Sequence, residues 1–441
     1  MSAMLVGSSR VMRAVRRLLF WTHLSVAVTA GIVIIIMSAT GVALAYQRQL
    51  LARVAEQHRV APPAPNAQRL ALDSIAARII TPPDTATVAS VTLSADSTLP
   101  LTIGLSDRSS VFVDPYTARV LGSDSEMRGR FQAIERWHRS VAIGTGMRSK
   151  AGTMVTGACN LAFLFLVLSG FYLWWPRRWS PRAFAAVLLF NRRATGHRRD
   201  WNWHHVLGFW AMPALLLIVA SATFMSYAWP QALVARAYGV APAAHGGSNG
   251  PRNGERARRS GREQRSVTAA SRASLDSLVA HAASRGEWTS LQLRLPQRGA
   301  KTATVSLTRG TMSRPDRRVQ LTLDASTAAV VQQQRYADND PARRFRSWIR
   351  PIHTGEAGGF LGQTIAALAS AAAVVLGLTG FSLAIRRAAR ALRRRGESRA
   401  PVPAFSASVP QSAFEFPYVG STGAAAREHR SRTQSGVSFD R

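Results

Sequence analysis

The stretch Trp137-His138-Arg139, with Gly144 and Gly146 just beyond it, leads into an uncharged segment, Ala151–Trp175. That segment closes in Ser169-Gly170-Phe171-Tyr172-Leu173-Trp174-Trp175-Pro176-Arg177-Arg178. About 20 consecutive apolar residues cross the hydrocarbon core of a bilayer as a helix. The segment therefore reads as a membrane span, with a histidine at one rim and tryptophans and arginines at the other. The same plan returns late in the chain. His353 is followed by Gly355, Gly358 and Gly359, an apolar run, then Thr379-Gly380-Phe381-Ser382-Leu383 and Arg386-Arg387.

Two more runs of spanning length flank this frame, Leu24–Tyr46 and Val206–Trp229. With Ala151–Trp175 and Ala357–Ile385 they make four. The overall hydrophobic content of 47% hides this clustering, so the average says little and the runs decide the class. The chain is expected to be a membrane α-helical protein built on a four-helix transmembrane bundle. A basic start followed by Ala43-Leu44-Ala45 resembles a cleaved signal peptide, but the apolar run outlasts a signal h-region of roughly 7–15 residues. An uncleaved anchor is the expectation.

The net charge of +33 does not imply a nucleic-acid partner. Nearly all the basic residues are arginines, with lysines only at 150 and 301, a bias of composition rather than a binding patch. Much of the charge lies where short basic loops stay on the cytoplasmic side. Arg10, Arg13, Arg16 and Arg17 precede the first span, Arg177–Arg199 fills the loop after the second, and Arg386–Arg395 follows the fourth. Residues 47–135, in contrast, balance nine arginines against nine acids. Both termini are thus expected in the cytoplasm, with two large segments outside. The single cysteine, Cys159, excludes an intrachain disulfide and a thiolate metal cluster.

The expected organisation follows in order. Residues 1–20 are a basic cytoplasmic N-terminus, 21–46 the first span, and 47–135 a first outer α+β domain. Residues 136–176 hold an outer histidine segment and the second span; 177–203 are a cytoplasmic loop. Residues 204–229 form the third span, 230–268 a flexible linker, and 269–345 a second outer domain. Residues 346–386 hold another outer histidine segment and the fourth span, and 387–441 a largely disordered tail. Leu72-Asp73-Ser74-Ile75 matches Leu275-Asp276-Ser277-Leu278, and Asp114-x-x-Thr117-x-x-Val120 matches Asp324-x-x-Thr327-x-x-Val330. Ser169-Gly170-Phe171 matches Thr379-Gly380-Phe381. These matches predict a parallel internal duplication whose pseudo-twofold axis lies along the membrane normal.

Topology sorts the ten histidines. His58, His197, His245, His281 and His429 fall in loops, linker or tail and read as solvated. His23 and His204/His205 stand at the inner ends of the first and third spans, His138 and His353 before the outer ends of the second and fourth. Under the pseudo-twofold these make two facing pairs, one near each membrane surface. Opposed neutral imidazoles can fill the axial positions of a haem iron. The bland alternative is a set of interfacial histidines at helix ends. Cys-x-x-Cys-His is absent, so any haem is b-type. His204 is favoured by the small residue at Gly208, parallel to His23 and Ala27; His205 is favoured by Trp203, parallel to Trp21. Arg139, Arg346 and Arg350 are candidates for haem propionates or for lipid headgroups. Trp174, Trp175 and Trp179 read as an interfacial belt.

The Trp137-His138-Arg139 start, the Asp114/Thr117 and Asp324/Thr327 turns, the Trp203-His204-His205-Val206-Leu207-Gly208 entry and His353-Thr354-Gly355-Glu356 together resemble the PepSY-associated transmembrane family. That family includes iron-regulated membrane proteins and inner-membrane ferric-siderophore reductases. The resemblance implies two PepSY-like outer domains and a multi-pass protein of the bacterial inner membrane. It further implies two b haems, with His23, His138, His204 and His353 as iron ligands. The expected activity is electron transfer to an outer acceptor, a ferric siderophore or other ferric chelate. No dinucleotide fingerprint is present, so the donor is expected to be a quinol or a separate reductase. The alternative is an envelope protein whose PepSY-like domains bind peptides or restrain a protease.

Overall fold

The computed structural model describes residues 2–64, 67–79, 88–144, 149–175, 180–240, 273–295, 300–310 and 314–397. In chain order the first half holds α1 (Ser2–Leu44), α2 (Gln47–Glu56), α3 (Leu72–Ile79), β1 (Val88–Ser94), β2 (Leu101–Leu105), β3 (Ser110–Val113), β4 (Val120–Ser123), α4 (Ser125–Ser140) and α5 (Lys150–Trp174). After α6 (Pro181–Leu188) the second half holds α7 (Gly196–Ser226), α8 (Ala228–Ala237), α9 (Leu275–Ala283), β5 (Ser290–Arg294), β6 (Thr302–Thr308), β7 (Arg318–Asp324), β8 (Val330–Gln334), α10 (Pro341–His353) and α11 (Gly359–Glu397). The same order of elements therefore occurs twice.

Four helices, α1, α5, α7 and α11, are long and apolar enough to cross a membrane. Their apolar residues surround the helix instead of marking one stripe, which suits lipid on one side and protein on the other. Ile32, Leu168, Leu217 and Leu368 point outward. Val167 of α5, Ala211 and Leu215 of α7, and Ala369 and Ala373 of α11 form the shared interior. Small residues let backbones approach. A Cβ at Gly31 of α1 would lie 2.9 Å from the Phe381 ring of α11, and one at Gly377 only 2.5 Å from Ile35 Cγ1. Pro213 sits inside α7, which continues through it.

The strands differ from the expectation of two separate outer domains. They form one antiparallel sheet of eight, in the order β4-β3-β2-β1-β5-β6-β7-β8. The halves join at β1 and β5, where Val91 pairs with Leu293. β1, β2, β5, β6 and β7 alternate, and their inward residues meet α3 and α9 in a single core that includes Ile75, Ile103, Leu278, Leu291, Leu321 and Leu323. The two helices cap each other. Leu72 N–H donates to Asp276 Oδ2, and Leu275 N–H donates to Asp73 Oδ2, both at 2.8 Å. A carboxylate on an unpaired N-terminal N–H satisfies an orphan donor and favours the helix dipole, so the matching Leu-Asp pairs have a physical reason.

The two Asp-x-x-Thr turns also coincide in form. Asp114 accepts from Tyr116 N–H at 2.8 Å and from the Thr117 hydroxyl at 2.8 Å, and Asp324 accepts from Ser326 and Thr327 N–H at 2.8 and 3.0 Å. Ala118 and Ala328 then turn the chain at φ 61° and 59°. Helices pass the limits of the expected segments. The basic N-terminus is helical from Ser2 and continuous with α1, and α11 runs on to Glu397. The linker expected over 230–268 begins as helix α8, and α6 lies within the expected basic loop. Gly146, Arg177, Arg178, Trp179, the linker over 241–268 and the tail beyond 397 lie outside the described residues.

Candidate functional site

Each of the four histidines reaches across to a neighbouring helix through Nδ1. His138, on α4, lies against α1: its Nδ1 is 2.9 Å from Met37 O and 3.0 Å from Thr40 Oγ1. His353, the last residue of α10, lies against α7: its Nδ1 is 3.0 Å from Ile218 O and 3.3 Å from Ser221 Oγ. A carbonyl only accepts, so Nδ1 carries the proton in both rings and Nε2 keeps its lone pair.

The other two rings reach the same state by a different partner. His23 Nδ1 is 2.8 Å from Ser169 Oγ, and His204 Nδ1 is 3.1 Å from Thr379 Oγ1. Each hydroxyl already donates to the carbonyl four residues back, Ser169 to Phe165 O at 2.7 Å and Thr379 to Val375 O at 2.8 Å. With its proton used, the hydroxyl accepts from Nδ1–H, and Nε2 is again the free nitrogen. A ring nitrogen held in this way is the usual outer support of a metal-bound histidine.

The fold brings the outer two rings together. The centres of the His138 and His353 rings are 6.3 Å apart, with 60° between their planes. Two imidazoles on opposite sides of one metal ion, with bonds of about 2 Å, hold their centres roughly 6 Å apart. His23 and His204 lie close enough to act on each other electrostatically. Along α1, the step from His23 to Met37 rises roughly 21 Å, so the two pairs stand at two depths of the bundle. His23, Met37 and Thr40 have the same mutual spacing as His204, Ile218 and Ser221.

That register distinguishes His204 from His205. His205 turns away: its Nδ1 bonds Trp201 O at 2.8 Å and its ring stacks on the Trp201 indole at 4.0 Å. Glycines lie beside three of the rings, where an added Cβ would be in ordinary contact. A Cβ at Gly170 would lie 3.4 Å from His23 Cε1, one at Gly380 3.5 Å from His204 Cε1, and one at Gly41 3.6 Å from His138 Cε1. Gly208, the expected small neighbour of His204, instead faces Leu376.

The hydroxyls of Thr40, Ser169, Ser221 and Thr379 belong to the site and are not evident as site residues in the sequence. The Ser169-Gly170 and Thr379-Gly380 match was the available signal: a hydroxyl for the ring nitrogen, then a glycine for the ring edge. Trp174 is more than interfacial. It stacks on Phe209 at 4.4 Å, and its indole N–H is buried with no acceptor among the described residues. Arg139 and Arg350 act electrostatically on His353, and Arg346 sits one turn earlier on α10. Among the described residues no three of His, Cys, Asp and Glu converge on one point; the arrangement offers two nitrogens per site.

Comparison with known proteins agrees with this architecture. The family model of the PepSY-associated TM region matches residues 20–387, and the chain belongs to that family. No curated protein matches it.

Proposed function

We propose that this member of the PepSY-associated transmembrane family is a di-haem b electron-transfer protein of the bacterial inner membrane. The observation that carries the reading is the outer pair: two rings 6.3 Å apart, each with Nδ1 held by a carbonyl. His138 and His353 would hold one haem, His23 and His204 the other. The matched halves are read as an internal duplication with PepSY-like outer parts, now joined in one sheet.

The residues present fit such a group on two counts. Four imidazoles are held with Nε2 available, and the Trp174 N–H is a buried donor without an acceptor among the described residues. Bound haem supplies one-electron chemistry at each depth of the membrane. The Thr40, Ser169, Ser221 and Thr379 hydroxyls hold the rings in place. The surrounding apolar helices exclude water. Arg139 and Arg350 place positive charge beside the outer pair.

The basic side would face the cytoplasm and the sheet the periplasm. Electrons would then run from a quinol or a separate reductase to a periplasmic ferric chelate, a siderophore complex in particular. Ferrous iron binds hard oxygen ligands more weakly, so reduction releases it. The test is to reduce the purified protein with dithionite, remove the excess and add a ferric chelate. The expected result is a return to the oxidised visible spectrum with ferrous iron trapped by a chromogenic chelator. A protein that stays reduced refutes the acceptor assignment.

A further inference from the structure

The sheet has a second face, opposite the core, and its central strands present polar side chains there. The strand register aligns Thr92 with Gln292, Gln292 with Ser306, and Ser306 with Gln320 in one row across four strands. One end of this face meets the segment just past α2. His58, just past α2, packs its ring on Phe112 at 5.3 Å, and Phe112 pairs with Thr102 and so projects from this face. Arg318 of β7 projects from it too, within electrostatic range of Arg48 on α2.

Arg48 belongs to a cationic group at the outer histidine pair. Its Nε is 3.2 Å from Glu356 Oε1, and Arg350 also lies within electrostatic range of it. Arg350 and Arg139 act in turn on His353. Arg318 and Arg350 thus act on Arg48, which pairs with the buried Glu356 carboxylate, and Arg350 and Arg139 act on the ring pair.

We infer that this surface selects the acceptor by charge: it takes an anionic, oxygen-rich ferric chelate, of the carboxylate or catecholate class. The inference rests on the electron-transfer reading above. One electron passes to the ferric ion, which becomes ferrous; no covalent bond is made or broken in that step. The chelate leaves one unit more negative, so a field of positive charge favours the reduced product over the reactant. A quinol donor, giving two electrons and two protons, would serve two chelates.

The test is stopped-flow reoxidation of the reduced full-length protein by three probes: ferric citrate, a ferric tris-catecholate and a neutral ferric trihydroxamate. Each is run at low and high salt, with wild type, Arg48→Gln and Arg318→Gln. The expected result is a fall of about two- to fivefold per variant for the anionic probes, a fall with salt for the same probes, and no change for the neutral one. The visible spectrum of each variant should match wild type. Equal rates for neutral and anionic probes, insensitive to salt, would overturn the inference and leave the electron-transfer reading intact. Loss of haem absorbance in Arg318→Gln would also overturn it, by assigning the cluster to the cofactor. Failure of all three probes to reoxidise wild type would overturn the reading beneath it.

Discussion

Replacing Ser169 by alanine removes the acceptor of the His23 Nδ1–H and leaves the backbone of α5 unchanged. The structure sets the size of the effect. Ser169 Oγ lies 2.8 Å from Nδ1 while giving its own proton to Phe165 O at 2.7 Å, so the hydroxyl has one role toward the ring. A neutral hydrogen bond contributes about 1 kcal/mol, and stranding a buried donor costs about 1–3 kcal/mol. Outer partners of metal-bound histidines typically carry a factor of about 10–100 in affinity, which is about 1.4–2.7 kcal/mol. The two ranges overlap, and Ser169→Ala should weaken the inner haem site about tenfold to hundredfold. The loss should stop at half the haem, because His138 and His353 take their bonds from α1 and α7. The assay follows haem transfer to an apo-globin scavenger in the visible spectrum. Ser169→Thr should restore retention, since a threonine, Thr379, holds the equivalent ring. A Ser169→Ala protein that keeps both haems as tightly as wild type would refute the claim that the hydroxyl fixes the ring.

Further outcomes follow from the packing and the turns. Asp73→Ala should destabilise the sheet by about 0.5–2 kcal/mol through the lost cap on α9, read as a lower unfolding midpoint in denaturant; an unchanged midpoint would show that the reciprocal caps contribute nothing. Gly377→Val brings its Cβ to 2.5 Å from Ile35 Cγ1, and overpacking of this kind costs about 1–3 kcal/mol. Its thermal midpoint in detergent should fall and recover when Ile35→Ala is added, and a single variant as stable as wild type would contradict the close approach of α1 and α11. The Asp324 carboxyl is held down from 3.8 to about 2, first by the Ser326 hydroxyl and then by the Ser326 and Thr327 backbone N–H groups. A depressed carboxyl contributes stability above its unfolded value and loses it as pH falls through the folded one. The midpoint gap between wild type and Asp324→Asn should thus be full at pH 5 and close toward pH 2; a gap independent of pH would contradict this.

The spans were legible because uniform apolarity over bilayer length has one main solution, a helix. The facing of His138 and His353 was legible from the repeat together with topology, without any knowledge of contacts. The four hydroxyls were not. A serine or threonine in a membrane helix already bonds the carbonyl one turn back, and nothing in its sequence position tells where the remaining lone pair points. The joined sheet was also hidden. Alternation marks Val88–Ser94 and Ser290–Arg294 as strands, but which edges meet depends on partners some 200 residues away in the chain. Helix α8 carried a start signal in Pro230 and a stop in Gly239, at φ 66°, next to a Gly- and Ser-rich stretch whose composition dominates the local reading.

The central claim is that the four histidines form two sites, each with room for one b haem. The most direct measurement is haem stoichiometry of the full-length protein purified from haem-replete cells, wild type beside His138→Ala and His23→Ala. The account predicts two haems per wild-type chain, α bands that sharpen on dithionite reduction, and loss of about half the absorbance in each single variant. A folded, colourless wild-type protein, or single variants with the full wild-type spectrum, would contradict it.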